Sequence, residues 1–120
     1  NGELAVSGST PAWITPVDMQ AQDIQELVIE MRGHAWPVGQ RGCVHFATET
    51  RGLPLERPAC FSWTADGSRQ RLTVPLGARP DWTGFITHIR VDPFGTDSQP
   101  GWRLVHERAL LRRRGDASNK

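Results

Sequence analysis

Arg90 and Asp92 stand two residues apart in the run Phe85-Ile86-Thr87-His88-Ile89-Arg90-Val91-Asp92-Pro93, with His88 two residues earlier. In an extended strand that spacing sends all three side chains to one face. A guanidinium, a carboxylate and an imidazole so placed donate to and accept from vicinal hydroxyl groups, which is the chemistry of sugar recognition. The same residues admit a structural reading, in which Arg90 forms an ion pair with Asp92 or Asp81.

The aromatic residues point the same way. Five Trp and four Phe stand beside no Tyr. Indole offers a flat apolar face to the C–H face of a pyranose and an N–H to its hydroxyls. Trp36 sits in His34-Ala35-Trp36-Pro37-Val38-Gly39, between two expected strands. That placement makes it a loop residue open to a partner, with His34 beside it, or else an anchor for the loop. Trp82 and Trp102 are further candidates; Trp82 reads equally as a plug over a sheet edge. Trp63 shares a strand face with Phe61 and reads as core, and Trp13 as packing.

Catalytic patterns are missing. The histidines at 34, 45, 88 and 106 show no His-x-x-x-His spacing, and there is no Cys-x-x-Cys or Gly-x-Ser-x-Gly. Glu49 and Glu56 fall in one polar loop, where solvation accounts for them better than a glycosidase pair. Arg114-Gly115-Asp116 spells an adhesion tripeptide by chance within an Arg-rich tail. The Arg112-Arg113-Arg114 run is either solvated or available to phosphates and acidic glycans.

These residues must be held by strands. Phe85 to Asp92 forms one strand, with Phe85, Thr87, Ile89 and Val91 on one face and Ile86, His88, Arg90 and Asp92 on the other, ended by Pro93. Ile24 to Met31 places Leu27, Ile29 and Met31 inward and Glu26, Val28 and Glu30 outward; a helix capped by Asp23 is the rival, and strand is preferred. Cys43–Thr48, Phe61–Thr64, Arg71–Leu76 and Trp102–Leu111 follow, with short edges at Leu4, Val6 and Trp13–Thr15, the last cut by Pro16. If the first two of these strands form a hairpin, Cys43 and Cys60 oppose each other, either bridged or packed as two free thiols.

About eight short strands punctuated by Gly and Pro predict an all-β chain, an antiparallel β-sandwich of jelly-roll type. It spans residues 1–111, and 112–120 reads as a disordered tail or linker.

The string Trp82-Thr83-Gly84-Phe85-Ile86 followed by Ile89-Arg90-Val91-Asp92-Pro93 resembles the turn and strand of bacterial β-sandwich domains of the carbohydrate-binding-module and galactose-binding-like kind. Pro100-Gly101-Trp102-Arg103-Leu104-Val105 is similar to the Gly-containing loop and closing strand of that pattern. The resemblance covers about half of the chain and concerns fold more than ligand. It implies a domain tethered to a catalytic partner in a larger protein, with a secreted or cell-surface location. It further implies a structural calcium ion, for which Glu3 near the first strand and Glu107 in the last offer carboxylates.

Composition bounds the rest. With 120 residues and a net charge of +1, the chain has the size of one domain and no overall charge that calls for nucleic acid or an anionic membrane. Thirteen of the fourteen basic residues are arginine, as high-GC coding produces and as bidentate contacts favour. No run is apolar enough for membrane insertion, and the start at Asn1 suggests an excised or processed chain.

The expectation is a non-catalytic carbohydrate-binding module. It would recognise a poly- or oligosaccharide through Trp36, Trp82 and Trp102 with Arg90, Asp92 and His34. The alternatives are a structural accessory domain of a polysaccharide-processing or glycosyltransferase protein that binds no glycan itself, and, behind both, a small hydrolase.

Overall fold

One strand organises the molecule. In the computed structural model, which describes residues 2–4, 13–50, 52, 57–94 and 103–113, with the backbone alone for 2–4, 13 and 103–107, strand β3 runs from Ile24 to Thr48. Around it lie β1 (Gly2–Leu4), β2 (Trp13–Gln20), β4 (Ala59–Asp66), β5 (Gln70–Pro75), β6 (Phe85–Asp92) and β7 (Arg103–Arg113), with a 3-10 turn at Ala21–Asp23. These seven strands of the described residues join in one antiparallel network, ordered β1-β7-β3-β6-β2, with β4 and β5 also on β3. The chain is all-β, as its composition of short apolar runs and breakers predicts.

The two halves of β3 have different neighbours. From Glu26 to Met31 it lies between β5 and β7, with Ile29 opposite Leu72 on one side and Ala109 on the other. From Cys43 to Thr48 it pairs β6, and from His34 to Val44 it pairs β4. β1 extends the first group through β7, and β2 extends the second through β6. Between the halves, residues 35–38 bulge away from β4, where the register shifts between His34 and Gly39. The Trp36–Pro37 peptide within this bulge is cis.

Period-two alternation fills the core from both halves. Leu27, Ile29 and Met31 are fully buried, as are Val44 and Phe46, and they share one apolar cluster with Trp63, Ile86, Ile89 and Val91. Completely burying side chains of this kind contributes roughly 1.5–3 kcal/mol each, which no surface ion pair matches. Gly42 is needed where it stands: a Cβ there would run into the Phe61 ring and the Pro93 carbonyl.

Several expected boundaries move. The segment 34–39 was expected as a loop between strands; β3 instead continues through it, with Gly33 and His34 paired to β7 and the residues from Gly39 to Val44 paired to β4. Pro16 does not cut β2. That strand has β6 as its neighbour, and its register shifts between Pro16 and Met19, which accommodates the missing N–H at an edge. In β6 the expected faces change part-way. A register shift between Ala47 and Thr48 leaves Thr87 unpaired and turns Ile86 into the core, while Phe85 is left half-buried. Arg112 and Arg113, expected in a tail, end β7.

The cysteines are joined. Cys43 and Cys60 face each other in register across β3 and β4 and form a disulfide with an S–S distance of 2.04 Å.

Candidate functional site

Trp36 is the most exposed large apolar side chain of the described residues, at 79 %, followed by Ile14 at 55 % and Val38 at 39 %. Its setting follows from the strand. Residues 27, 29, 31 and 33 of β3 are buried and residues 32, 34 and 36 are exposed, so alternation carries Trp36 onto the outward side with Arg32 and His34. Ala35 faces the other way and packs against the core. The bulge is braced from within, since Gln40 Nε2 donates to the Pro37 carbonyl at 2.5 Å.

His34 pairs with Asp66 across the ladder and covers Gly67, whose ideal Cβ would meet the imidazole at 2.5 Å. Gly67 has φ of 91° and donates its N–H to the Gly33 carbonyl at 2.9 Å, a turn that a residue with a side chain would strain. Asp66 accepts from the Ser68 hydroxyl at 2.6 Å and its amide at 3.0 Å. Those two hydrogen bonds, with a smaller contribution from His34, hold its carboxyl below the usual range. The flat indole thus stands on the same side of the strand as the imidazole of His34 and, across the ladder, the carboxylate of Asp66.

The remaining expected site residues are elsewhere. Trp82 is buried at 5 % exposure; its indole donates to the carbonyls of Ala21 at 2.9 Å and Ile24 at 3.0 Å and meets the Phe46 ring edge-on at 4.8 Å. Its faces are used inside the fold, so Trp82 is the plug and offers no stacking surface. Trp102 lies outside the described residues. Arg90 Nε donates to Asp92 Oδ1 at 2.8 Å, and His45 Nε2 lies 3.5 Å from Asp92 Oδ2. Asp92 and His45 are buried. Burial pushes the His45 imidazole below its ordinary value, Asp92 opposing and Arg90 adding to the effect. This cluster serves the structural pairing that the spacing also allowed.

Glu3 is paired opposite Leu110, and Glu107 lies three residues along the same neighbouring strand; their side chains are outside the described residues. Among the described residues, no group of three or more His, Cys, Asp or Glu converges as metal ligands. Glu56 and the Arg114-Gly115-Asp116 run are also outside them.

Sequence reasoning missed two features. One is a cleft of ≈ 230 Å³ between the end of β3 and the start of β6, lined by Thr48, Glu49, Thr50, Asp81, Thr83 and Phe85 around Gly84. Its wall is firm, because Arg79 grips Asp81 with two bonds of 2.9 Å and lies 5.7 Å over the Phe46 ring. The other is a row of ion pairs outside the first half of the sheet. Glu30 meets Arg71 at 2.5 Å and Arg108 at 4.0 Å, and Glu26 meets Arg112 at 2.9 Å. The alternation of Glu26 and Glu30 was readable, but their partners lie on strands 41 and more residues away.

No family model matches this chain. Neither a curated protein nor a solved structure matches it. The resemblance to carbohydrate-binding sandwiches therefore stands on its motif residues alone, and the function must be argued from the geometry. Among the described residues, no helix is long and apolar enough to cross a membrane.

Proposed function

We propose that this chain is a non-catalytic carbohydrate-binding domain that uses Trp36 as its stacking platform, with His34 and Asp66 as flanking hydrogen-bonding groups. The observation that carries the reading is the 79 % exposure of an indole mounted on a braced strand bulge. An exposed indole offers a flat apolar face on which a pyranose ring can stack, and a strand-borne platform asks for little backbone ordering on binding. Affinity for one sugar unit would be modest and would become useful through tethering to a catalytic domain.

In this reading the sheet is a sandwich folded about the bulge, the first half of β3 in one layer and the second in the other. Its support is the single core shared by residues of both halves and the least Cα extent of 23 Å, more than the ~10 Å spacing of two packed sheets. The scaffold alternative draws on Trp82 and the Arg90–Asp92 pair, both of which are used internally.

The test is native affinity electrophoresis over a polysaccharide panel, with and without calcium. Trp36→Ala should weaken retardation about tenfold or more, with unfolding stability changed by no more than about 0.5 kcal/mol, as at other exposed sites. Loss of both together would make Trp36 a packing residue. Uniform migration of the unaltered protein across the panel would favour the scaffold.

A further inference from the structure

The outward side of β3 does not stop at Trp36. Glu26, Val28, Glu30, Arg32, His34 and Trp36 follow one another along the same side of the strand, at alternate positions, with Val28, expected to be outward, buried between the two glutamates. Across the ladder, Arg112 stands opposite Glu26 on β7, and Arg71 and Arg108 stand on either side of Glu30, on β5 and β7. Four guanidinium groups, with Arg32, therefore share this face with the carboxylates of Glu26 and Glu30, and the exposed Asp66 adds a third opposite His34. The two glutamates lie underneath: the Glu30 and Glu26 side chains are 17 % and 15 % exposed, whereas those of Arg71 and Arg108 are 52 % and 44 % exposed.

This layering matters chemically. A carboxylate occupies at most two of the five N–H donors of a guanidinium, so an arginine as exposed as Arg71 retains donors that can meet a second carboxylate in a planar fork. The glutamates hold the arginine heads in place, so part of the entropy of ordering them is already spent. From Glu30 to Trp36 the strand advances roughly 20 Å at ~3.3 Å per residue, a length suited to an extended polymer and too long for one small ligand.

We infer that the ligand is an acidic polysaccharide, its uronate carboxylates meeting the arginine face while one of its rings stacks on Trp36. This rests on the proposal that the domain binds a glycan. A single-stranded nucleic acid would also use arginine and aromatic groups, but it asks for several stacking rings in succession, and the described residues of this face present one indole and one imidazole. The Cys43–Cys60 disulfide further fits an oxidising compartment, where extracellular polysaccharide is the polymer at hand.

The experiment is affinity electrophoresis of the whole chain in polygalacturonate, in its fully methyl-esterified form and in poly(dT), at low and high salt. The variants are Arg71→Gln, Arg32→Gln and Trp36→Ala. Gln at 71 keeps a donor toward Glu30, and thermal unfolding verifies that each variant is folded. Polygalacturonate should retard the protein more than its ester does, and salt should weaken the effect. Arg71→Gln and Arg32→Gln should each weaken it about tenfold, the loss expected for one charge-assisted contact. Equal retardation by acid and ester, or no loss in either arginine variant, overturns the acidic ligand while leaving the glycan reading in place. Loss in the arginine variants but not in Trp36→Ala keeps the acidic ligand and overturns the stacking platform. Retardation by poly(dT) that matches polygalacturonate overturns the glycan in favour of nucleic acid, and no retardation by any polymer overturns both proposals.

Discussion

Along its first half, β3 turns outward two glutamates that reach arginines on the neighbouring strands; along its second half it turns outward Cys43, His45 and Ala47, all buried. The alternation is the same, but the surroundings are not. Arg71 keeps 52 % of its side chain in water, while the side chains of His45 and Asp92 keep 10 % and 9 %. A charge that remains hydrated contributes little to folding and can be lent to a partner. A charge that has been enclosed must keep its native contacts, since water no longer replaces them. The first half has the character of a contact surface and the second that of a clamp.

The sharpest way to break this contrast is to open the clamp. Replacing both Cys43 and Cys60 by Ala frees a loop with a sequence separation of 17. About 3 kcal/mol of stability should be lost, chiefly because the unfolded chain regains freedom. Denaturant unfolding of the double variant beside the oxidised protein measures it. A midpoint within error of the parent would mean that the second half is no better fastened than the first.

The next effect is one of pH. The His45 imidazole is held below its ordinary value of 6.5 by burial in the fold. The unfolded chain therefore binds a proton on His45 more readily than the folded chain does, and stability depends on that difference. Its contribution is complete above the unfolded value and is lost as pH falls from there toward the depressed folded one. Unfolding followed between pH 7.5 and 5 should show declining stability toward acid, and His45→Gln should flatten that decline. A slope unchanged in the variant would assign it to other groups.

Much of the clamp was legible beforehand. Placing Cys43 opposite Cys60 needed only a hairpin and a period of two, and the end of β6 at Asp92 followed from the ring of Pro93. Leu27, Ile29 and Met31 announced their face by alternation. What escaped was non-local or cumulative. The slip at Thr87 inverts Ile86 and Phe85 without any breaker residue, because a bulge is set by the partner strand's register. Trp36 and Trp82 are chemically identical, and only the position of the Ala21 and Ile24 carbonyls makes Trp82 the buried plug and leaves Trp36 the exposed ring. His45 joins Arg90 and Asp92 because β3 and β6 are neighbours, which no spacing in either segment reveals. The arginine face was the least visible: its carboxylates belong to one strand and its guanidinium groups to two others.

The smallest effect on folding should come from that face, and it sharpens the comparison because its effect on binding has the opposite sign. Glu30→Gln removes the charge that anchors Arg71 and Arg108 but keeps a hydrogen-bond acceptor between them. Since both arginine heads are about half exposed, stability should change by less than about 1 kcal/mol. The same substitution raises the positive surplus of the face, so retardation by polygalacturonate should increase, and most at low salt where screening is weakest. If Glu30→Gln instead destabilised the chain as strongly as loss of the disulfide, the row of ion pairs would be a second clamp, and the arginines would be committed to the fold.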